Sequence, residues 1–338
     1  MNTAWLLELQ DLQEDERADL AIKCQNELLN LLLGDEPTKA RILGPKNKLL
    51  HLLEAAQVRS KVKSFEACKG PCPHQAALKK NYQFSVCGEQ IQQGALTLVA
   101  GPCAAESFEQ LDAVAGALKR WDIKLMRAGL FKPRTSPYAF QGHGSEAFEW
   151  AREIRKKWGI GLVTEVLDPA HIEAAMDLID IVQIGSRNMH NSSLLKEVAT
   201  MQKPVLLKRG FSATYHEWLL AAEYLLYHGA KNVILCERGI RTFENYTRFT
   251  LDINAVAVMK ELSPLPLWID PSHATGQKRW VLPAAKAAVA AGADGLIIEV
   301  HPTPSKALSD SEQTLELDSL ESISRLKELK KWLGSAKI

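Results

Sequence analysis

The chain has 338 residues, about twice the usual single-domain length, so it holds either two ordinary domains or one large barrel with an appendage. Apolar residues at 46% and charged residues at 24% match the globular average and exclude a disordered, collagen-like or disulfide-scaffold protein. Forty-one Lys and Arg against forty Asp and Glu leave a formal charge of +1, so no global field holds nucleic acid or an anionic membrane, and anion binding must be local.

The opening stretch MNTAWLLELQDLQEDER lacks a basic segment followed by an apolar run and a small-residue cleavage site. No segment has eighteen uninterrupted apolar residues, and the expectation is a soluble cytoplasmic protein. Cys24, Cys68, Cys72, Cys87, Cys103 and Cys236 are too few and too irregularly spaced for a disulfide framework and are expected to be thiols.

Residues 1–75 carry leucines at helical spacing: Leu6, Leu9, Leu12 and Leu20, then Leu28, Leu29, Leu32 and Leu33, then Leu49, Leu50, Leu52 and Leu53. Gly34, Pro37, Gly44 and Pro45 divide them into two or three helices, so a short helical N-terminal extension is expected. The stretch SFEACKGPCPHQ reads as a linker, because Gly70, Pro71 and Pro73 suit neither helix nor strand. Its Cys68, Cys72 and His74 supply only three ligands at an unusual spacing, and no metal is expected there.

From Tyr82 onward the pattern changes. Short β-rich runs begin at Leu96 (LTLVAG), Lys124 (KLMRAG), Gly161 (GLVTEV), Ile181 (IVQIG), Pro204 (PVLLKR), Asn232 (NVILCE), Pro266 (PLWID) and Gly295 (GLIIEV). Amphipathic stretches such as SFEQLDAVAGALKRW and TYHEWLLAAEYLLYHG lie between them. Strand then helix, eight times over, predicts an α/β fold: a parallel (β/α)8 TIM barrel over residues 76–338. No Gly-rich dinucleotide fingerprint follows the first run, which disfavours a doubly wound sheet.

In such barrels chemistry gathers at the C-terminal strand ends. Those ends carry Cys103, Arg127, Glu165, Ser186 with Arg187, Lys208 with Arg209, Glu237 with Arg238, Asp270 with His273, and Glu299 with His301. Cys103, His273, Glu299 and, in the loop after the last strand, Asp310 offer a thiolate, an imidazole and two carboxylates. That mixture suits a divalent transition ion, Mn, Fe, Co or Zn, better than Mg or Ca. Each residue alone is more commonly structural, and only convergence in one mouth favours a site. Arg127, Lys132, Arg134, Arg187, Lys208 and Arg238 would repel one another unless an anion or Glu165, Glu237 and Asp270 neutralised them, and the arginine fork suits phosphate or carboxylate.

The segments AGPCAAES (from Ala100), FKPRTSPYAFQGHG (from Phe131), TEVLD (from Thr164), IGSRNM (from Ile184), PVLLKRG (from Pro204), CERGIRTFE (from Cys236), DPSHATG (from Asp270) and EVHPTPSKALSD (from Glu299) closely resemble 3-deoxy-D-arabino-heptulosonate 7-phosphate (DAHP) synthase. The resemblance is to the branch nearest 3-deoxy-D-manno-octulosonate 8-phosphate (KDO8P) synthase and spans about Tyr82 to Gln313. It implies condensation of phosphoenolpyruvate with erythrose 4-phosphate, releasing phosphate, at the head of the shikimate route to aromatic amino acids. By similarity, Ser186, Arg187, Lys208 and Arg238 hold the phosphate of phosphoenolpyruvate, Arg127 and Lys132 its carboxylate end, and Arg134, Thr135 and Ser136 the phosphate of erythrose 4-phosphate. Cys103, His273, Glu299 and Asp310 hold the metal, and Lys132, Glu165 and His273 form the implied catalytic group. Lys132 would donate to the nascent alkoxide, and Glu165 would orient water or Lys208.

KDO8P synthase performs the same chemistry on arabinose 5-phosphate and usually reads Lys-Ala-Asn-Arg-Ser-Ser where this chain reads Lys132, Pro133, Arg134, Thr135, Ser136. Proline stiffens that loop and brings the arginine one position nearer the lysine, which favours the shorter aldose. A non-catalytic sugar-phosphate sensor could have lost a ligand or Lys132, and none is lost. Three positions depart from the family pattern: Ser311 follows the last ligand where Gly is common, and His143 and Ser186 replace residues more commonly Leu and Ala. A positive φ at Ser311 would carry a small strain.

Relatives of this kind carry either a ferredoxin-like or a helical chorismate mutase appendage. The leucine pattern argues against the first, and the mutase motif does not fit the segment. Its apolar faces would aggregate if left bare, so a regulatory or oligomerisation role and a homo-oligomer are expected. Cys103 is the residue expected to be sensitive to oxidation.

Overall fold

The computed structural model describes residues 4–26, 29–33, 40–55, 59–67, 72–78, 82–131, 138, 140, 142–168 and 176–335. The N-terminal part runs β1 (Ala4–Leu9), α1 (Glu14–Asn26), β2 (Asn30–Leu33), β3 (Ala40–Pro45), α2 (Lys46–Ala55) and β4 (Val62–Ala67). Its four strands form an antiparallel sheet in the order β2-β3-β1-β4. This βαββαβ topology is ferredoxin-like.

The expectation of a purely helical extension, and the argument against a ferredoxin-like appendage, are corrected here. Leu20 lies on α1 and Leu49, Leu50, Leu52 and Leu53 on α2, as the spacing indicates, but Leu6 and Leu9 belong to β1 and Leu32 and Leu33 to β2. A short apolar run satisfies helical spacing and strand alternation equally well, and only partners decide between them. In β1 the deciding partners are β3 residues: Leu7 faces Ile42 and Leu9 faces Ala40 in register. These side chains form one core with Leu12, Leu20, Leu49 and Leu52. On the other face Glu8 pairs with Arg41 at 2.8 Å.

The supposed linker is also partly structured. Ser64 to Ala67 belong to β4, and Pro73 opens α3 (Pro73–Ala77) at the first helical position, where its missing N–H costs nothing. The buried carboxylate of Glu223 accepts the backbone N–H of His74 at 2.5 Å and of Gln75 at 3.1 Å, and meets His74 Nδ1 at 2.6 Å. His74 is thus engaged by a carboxylate, while Cys68 lies outside the described residues.

A hairpin of β5 (Gln83–Val86) and β6 (Glu89–Gln92) precedes the barrel. Eight parallel strands follow: β7 (Thr97–Gly101), β8 (Leu125–Arg127), β9 (Gly161–Glu165), β10 (Ile181–Ile184), β11 (Val205–Lys208), β12 (Val233–Glu237), β13 (Leu267–Ile269) and β14 (Gly295–His301). Pairing of β14 with both β13 and β7 closes the ring. All eight coincide with the expected runs.

Alternation along the strands sends Leu98 and Ala100 outward to the helices and Val99 into the barrel. The interior is filled by Val99, Leu125, Val163, Ile181, Leu206, Ile234, Trp268 and Ile297, with Val86 and Ile91 of the hairpin packed into the same cluster. Around it lie α4 (Phe108–Arg120), α5 (Ser145–Trp158), α6 (Ser192–Thr200), α7 (Tyr215–Tyr227), α8 (Asn254–Leu262), α9 (Pro271–Thr275) and α10 (Lys278–Ala291). Ser107 caps α4 by accepting from Gln110 N, and Thr214 with Glu217 forms a capping box on α7. The chain continues through β15 (Leu315–Glu316), which pairs with the end of β14, to α11 (Ser319–Ser324) and α12 (Leu326–Ser335). The β14–β15 pairing folds the intervening loop, with Asp310, back toward the mouth.

Candidate active site

The C-terminal strand ends bring two chemically different clusters together. Cys103 follows β7, His273 sits on α9 after β13, Glu299 lies near the end of β14, and Asp310 is in the returning loop. One ligand atom from each lies within 4.8 Å of all the others. Asp310 Oδ2 is 2.9 Å from Cys103 Sγ, and His273 Nε2 is 3.4 Å from Glu299 Oε1. A borderline ion bonded at about 2.0–2.3 Å to such donors would gather them at this spacing, so the donor set fits one thiolate, one imidazole and two carboxylates on a divalent transition metal.

Asp270 organises this half of the mouth. It caps α9 by accepting the His273 N–H at 2.9 Å, and its other oxygen meets His273 Nδ1 at 2.7 Å, which leaves Nε2 facing the cluster. The same oxygen accepts from Lys208 Nζ at 2.5 Å and lies 3.9 Å from Arg127, whose other nitrogen is 3.0 Å from Glu299. Burial works to raise the Asp270 pKa, but His273, Lys208 and Arg127 hold the carboxyl well below the usual range. Burial lowers the pKa of His273 despite Asp270 and Glu299, favouring the neutral imidazole that a metal requires. Burial would also depress Arg127, but Glu299, Cys103 and Asp270 hold it above the ordinary value.

The second cluster lies across β10, β11 and β12. Arg238 is 4% exposed, sits 4.2 Å over the Phe249 ring and 4.9 Å from Phe211, and has one buried nitrogen without a hydrogen-bond partner among the described residues. Burial pulls its pKa down to about 10. The two phenyl rings stack at 5.0 Å and 6°. Arg187 and Arg241 flank Phe211 at 5.8 and 5.3 Å. The Ser186 hydroxyl is likewise buried without a partner among the described residues. Beneath Arg238, Glu237 accepts from the Gly239 N–H at 2.6 Å and from Arg209 at 3.0 Å, and Arg209 also pairs with Asp252 at 2.8 Å.

Glu165, at the end of β9, accepts from Gln183 at 3.2 Å. A Cβ on Gly185 would fall 2.0 Å from a Glu165 oxygen, so only glycine lets the carboxylate lie against that strand end. A cleft of about 470 Å³ opens beside Asp310, lined by Asn245, Tyr246, Arg248, Gly276, Gln277 and Glu312 among others.

The expected site residues fall in different places. Lys132, Arg134, Thr135 and Ser136 lie outside the described residues. Lys208 and Arg127 are not free cations, since Asp270 and Glu299 already pair with them. Arg209 belongs to a buried ion network and His301 meets Glu106 at 3.4 Å. The left-handed residue after β14 is Asp310 itself, at φ 53°, rather than Ser311. Arg248, Gln313 and the Phe211–Phe249 pair were missed by sequence reasoning, because no local spacing connects them to the site.

A closed barrel with four donors able to hold a divalent ion and several arginines at one mouth has the layout of an enzyme active site. The model of the DAHP synthetase I family matches residues 81–334. A phospho-2-dehydro-3-deoxyheptonate aldolase of Thermotoga maritima is 47% identical over 246 residues, covering 72% of this chain and 73% of that protein. A 2-dehydro-3-deoxyphosphooctonate aldolase of Stenotrophomonas maltophilia is 31% identical over 260 residues, covering 71% and 93%. The solved structure of a DAHP synthase from Thermotoga maritima superposes with a TM-score of 0.76 at 35% identity, covering 98% of both chains. The chain belongs to the DAHP synthetase I family.

Proposed function

We propose that this protein joins phosphoenolpyruvate to erythrose 4-phosphate with consumption of water and release of inorganic phosphate, the first step of the shikimate pathway. The observation that carries the reading is the division of one mouth between four donors within 4.8 Å and an arginine, Arg238, buried with one nitrogen that has no partner among the described residues. The first arrangement calls for a cation and the second for an anion.

Ser186, Arg187, Lys208 and Arg238 hold the phosphate of phosphoenolpyruvate, and Arg127 with Lys132 holds its carboxylate end. Arg134, Thr135 and Ser136 take the phosphate of erythrose 4-phosphate. Cys103, His273, Glu299 and Asp310 hold a divalent ion, Mn, Fe, Co or Zn, which when bound supplies Lewis acidity toward the aldehyde oxygen. C3 of phosphoenolpyruvate attacks the aldehyde carbon, and Lys132 donates a proton to the oxygen on which charge develops. Water adds at C2, with Glu165 as its orienting carboxylate, and the resulting phosphohemiketal loses phosphate by C–O cleavage. Asp270 keeps His273 in the tautomer that leaves Nε2 free to bind.

The test is phosphate release from phosphoenolpyruvate with erythrose 4-phosphate or arabinose 5-phosphate, before and after chelation and with metals restored. Metal-dependent turnover of the four-carbon sugar supports the proposal. Preference for the five-carbon sugar would move the protein to the KDO8P side of the family, and no turnover with either would favour a sensor. The 47% match to the heptonate enzyme against 31% to the octonate enzyme supports the four-carbon reading.

The same reading assigns residues 1–75 to a regulatory or oligomerisation unit and residues 76–338 to the catalytic barrel, working in the cytoplasm as a homo-oligomer. Among the described residues, no helix is long and apolar enough to cross a membrane. Sedimentation of the full chain is expected to give more than the monomer mass, and a monomer at every concentration would break that part of the proposal.

A further inference from the structure

We infer that Arg248 and Gln313 are positioning residues that set which oxygen of Asp310 and of Glu299 faces the metal; the inference rests on the metal-centre reading above. A carboxylate has two oxygens, and a centre built from four separate segments forms only if each carboxylate is turned correctly before the ion arrives. Asp310 turns Oδ2 to Cys103 at 2.9 Å, while Oδ1 accepts from Arg248 at 3.0 Å. Glu299 turns Oε1 to His273 and Arg127, while Oε2 accepts from the Gln313 amide at 2.6 Å. In both carboxylates a side-chain donor holds the oxygen that faces away from the cluster.

The two holding groups are joined to each other. Arg248 donates to the Gln313 carbonyl oxygen at 2.7 Å, so Glu299, Gln313, Arg248 and Asp310 form one continuous belt. The belt has a single polarity: a flipped Gln313 amide would set its oxygen against a carboxylate and its NH2 against a guanidinium. Gln313 is 2% exposed, which makes an unsatisfied amide there costly and the orientation firm.

Local structure is adapted to the belt. Asp310 adopts a left-handed conformation, and its carbonyl accepts from Thr314 Oγ1 at 2.8 Å. A Cβ on Gly276 would lie 2.4 Å from Arg248 Cβ, so glycine is what admits Arg248 to this position. Arg248 has no metal-ligating atom and the Gln313 carbonyl oxygen is taken by Arg248, which comes from the loop after β12, remote in sequence from Asp310.

The test is titration of the metal-free full chain with Co2+, read by the thiolate-to-cobalt absorption band that reports Cys103 ligation. Gln313→Leu and Arg248→Met are expected to weaken Co2+ binding by about 10- to 100-fold. Arg248→Lys, which keeps a cationic donor, is expected to recover most of the loss, and Cys103→Ser to abolish the band. Should Gln313→Leu fail to fold, the partly exposed Arg248 carries the test through Arg248→Met. A parent chain with the band and an Arg248→Met affinity within about twofold of it overturns the inference alone. A loss in Arg248→Lys equal to that in Arg248→Met also overturns it, since packing and not donation would then be at work. A parent chain without the band overturns the metal-centre reading and the inference with it.

Discussion

The two halves of the barrel mouth hold their charges in opposite ways. Around Asp270, the charges of His273 and Glu299, of Arg127 from β8 and of Lys208 from β11 are interlinked by ion pairs, with few formal charges left over. At the end of β12, Arg238 rests on neutral rings, and its charge stays available. An aromatic face attracts a guanidinium without cancelling its charge, whereas a carboxylate would already occupy it. A guanidinium held over aromatic rings can still pair with an anion.

The comparison breaks most sharply if the metal half is damaged. Cys103→Ser and Glu299→Gln are each expected to abolish metal binding and reduce turnover to background, measured by metal content after dialysis and by phosphate release. Asp270→Asn should follow closely, because it disturbs His273 and leaves Lys208 buried without its partner; loss of one member of a buried pair typically costs about 3–5 kcal/mol of stability. Thermal unfolding of the variant checks it.

The anion half should respond in KM rather than kcat. Arg238→Met is expected to weaken phosphoenolpyruvate binding by about 2–5 kcal/mol, the range for a buried charged partner, with metal content unchanged. Phe211→Leu should act the same way but more weakly, by about 0.5–2 kcal/mol, because it removes only the ring face. A loss of metal content, or a fall in kcat with KM unchanged, in either variant would show that the halves are not separable.

The smallest effect concerns the support below Arg238. Burial tends to raise the Asp252 pKa, but hydrogen bonds from Tyr215 and Arg209 bring it below the ordinary value. A depressed carboxyl stabilises the fold above its unfolded pKa, about 3.9, and that contribution fades as pH falls through the folded value. Asp252→Asn should therefore flatten the acid limb of a stability profile and change the neutral region by less than about 1 kcal/mol, since the group is partly solvated. A steeper acid limb would reverse the assignment.

Legibility differed between the two parts of the chain. The eight barrel strands could be read directly, since each is a compact apolar run bounded by turns and followed by an amphipathic helix. The N-terminal sheet could not, because LLEL in β1 and NLLL in β2 have no intrinsic preference strong enough to override their spacing, and their strand state depends on pairing with β3. The 98% structural coverage extends the likeness to this part, where the sequence match to the heptonate aldolase covers 72% of the chain.

The candidate metal donors were legible as a thiol, an imidazole and carboxylates at or just beyond the ends of inferred parallel strands, which must share a mouth. Residue type and periodicity pointed to the barrel and its charged mouth, and the family resemblance supplied the roles of donors and arginines. What only the tertiary structure decided was pairing over long sequence distance: Asp270 joining Lys208 and Arg127, Phe211 stacking on Phe249, and Arg248 reaching Asp310. A side chain's type limits what it can bind, but its partner is chosen by the path of the backbone, and no local pattern records that path.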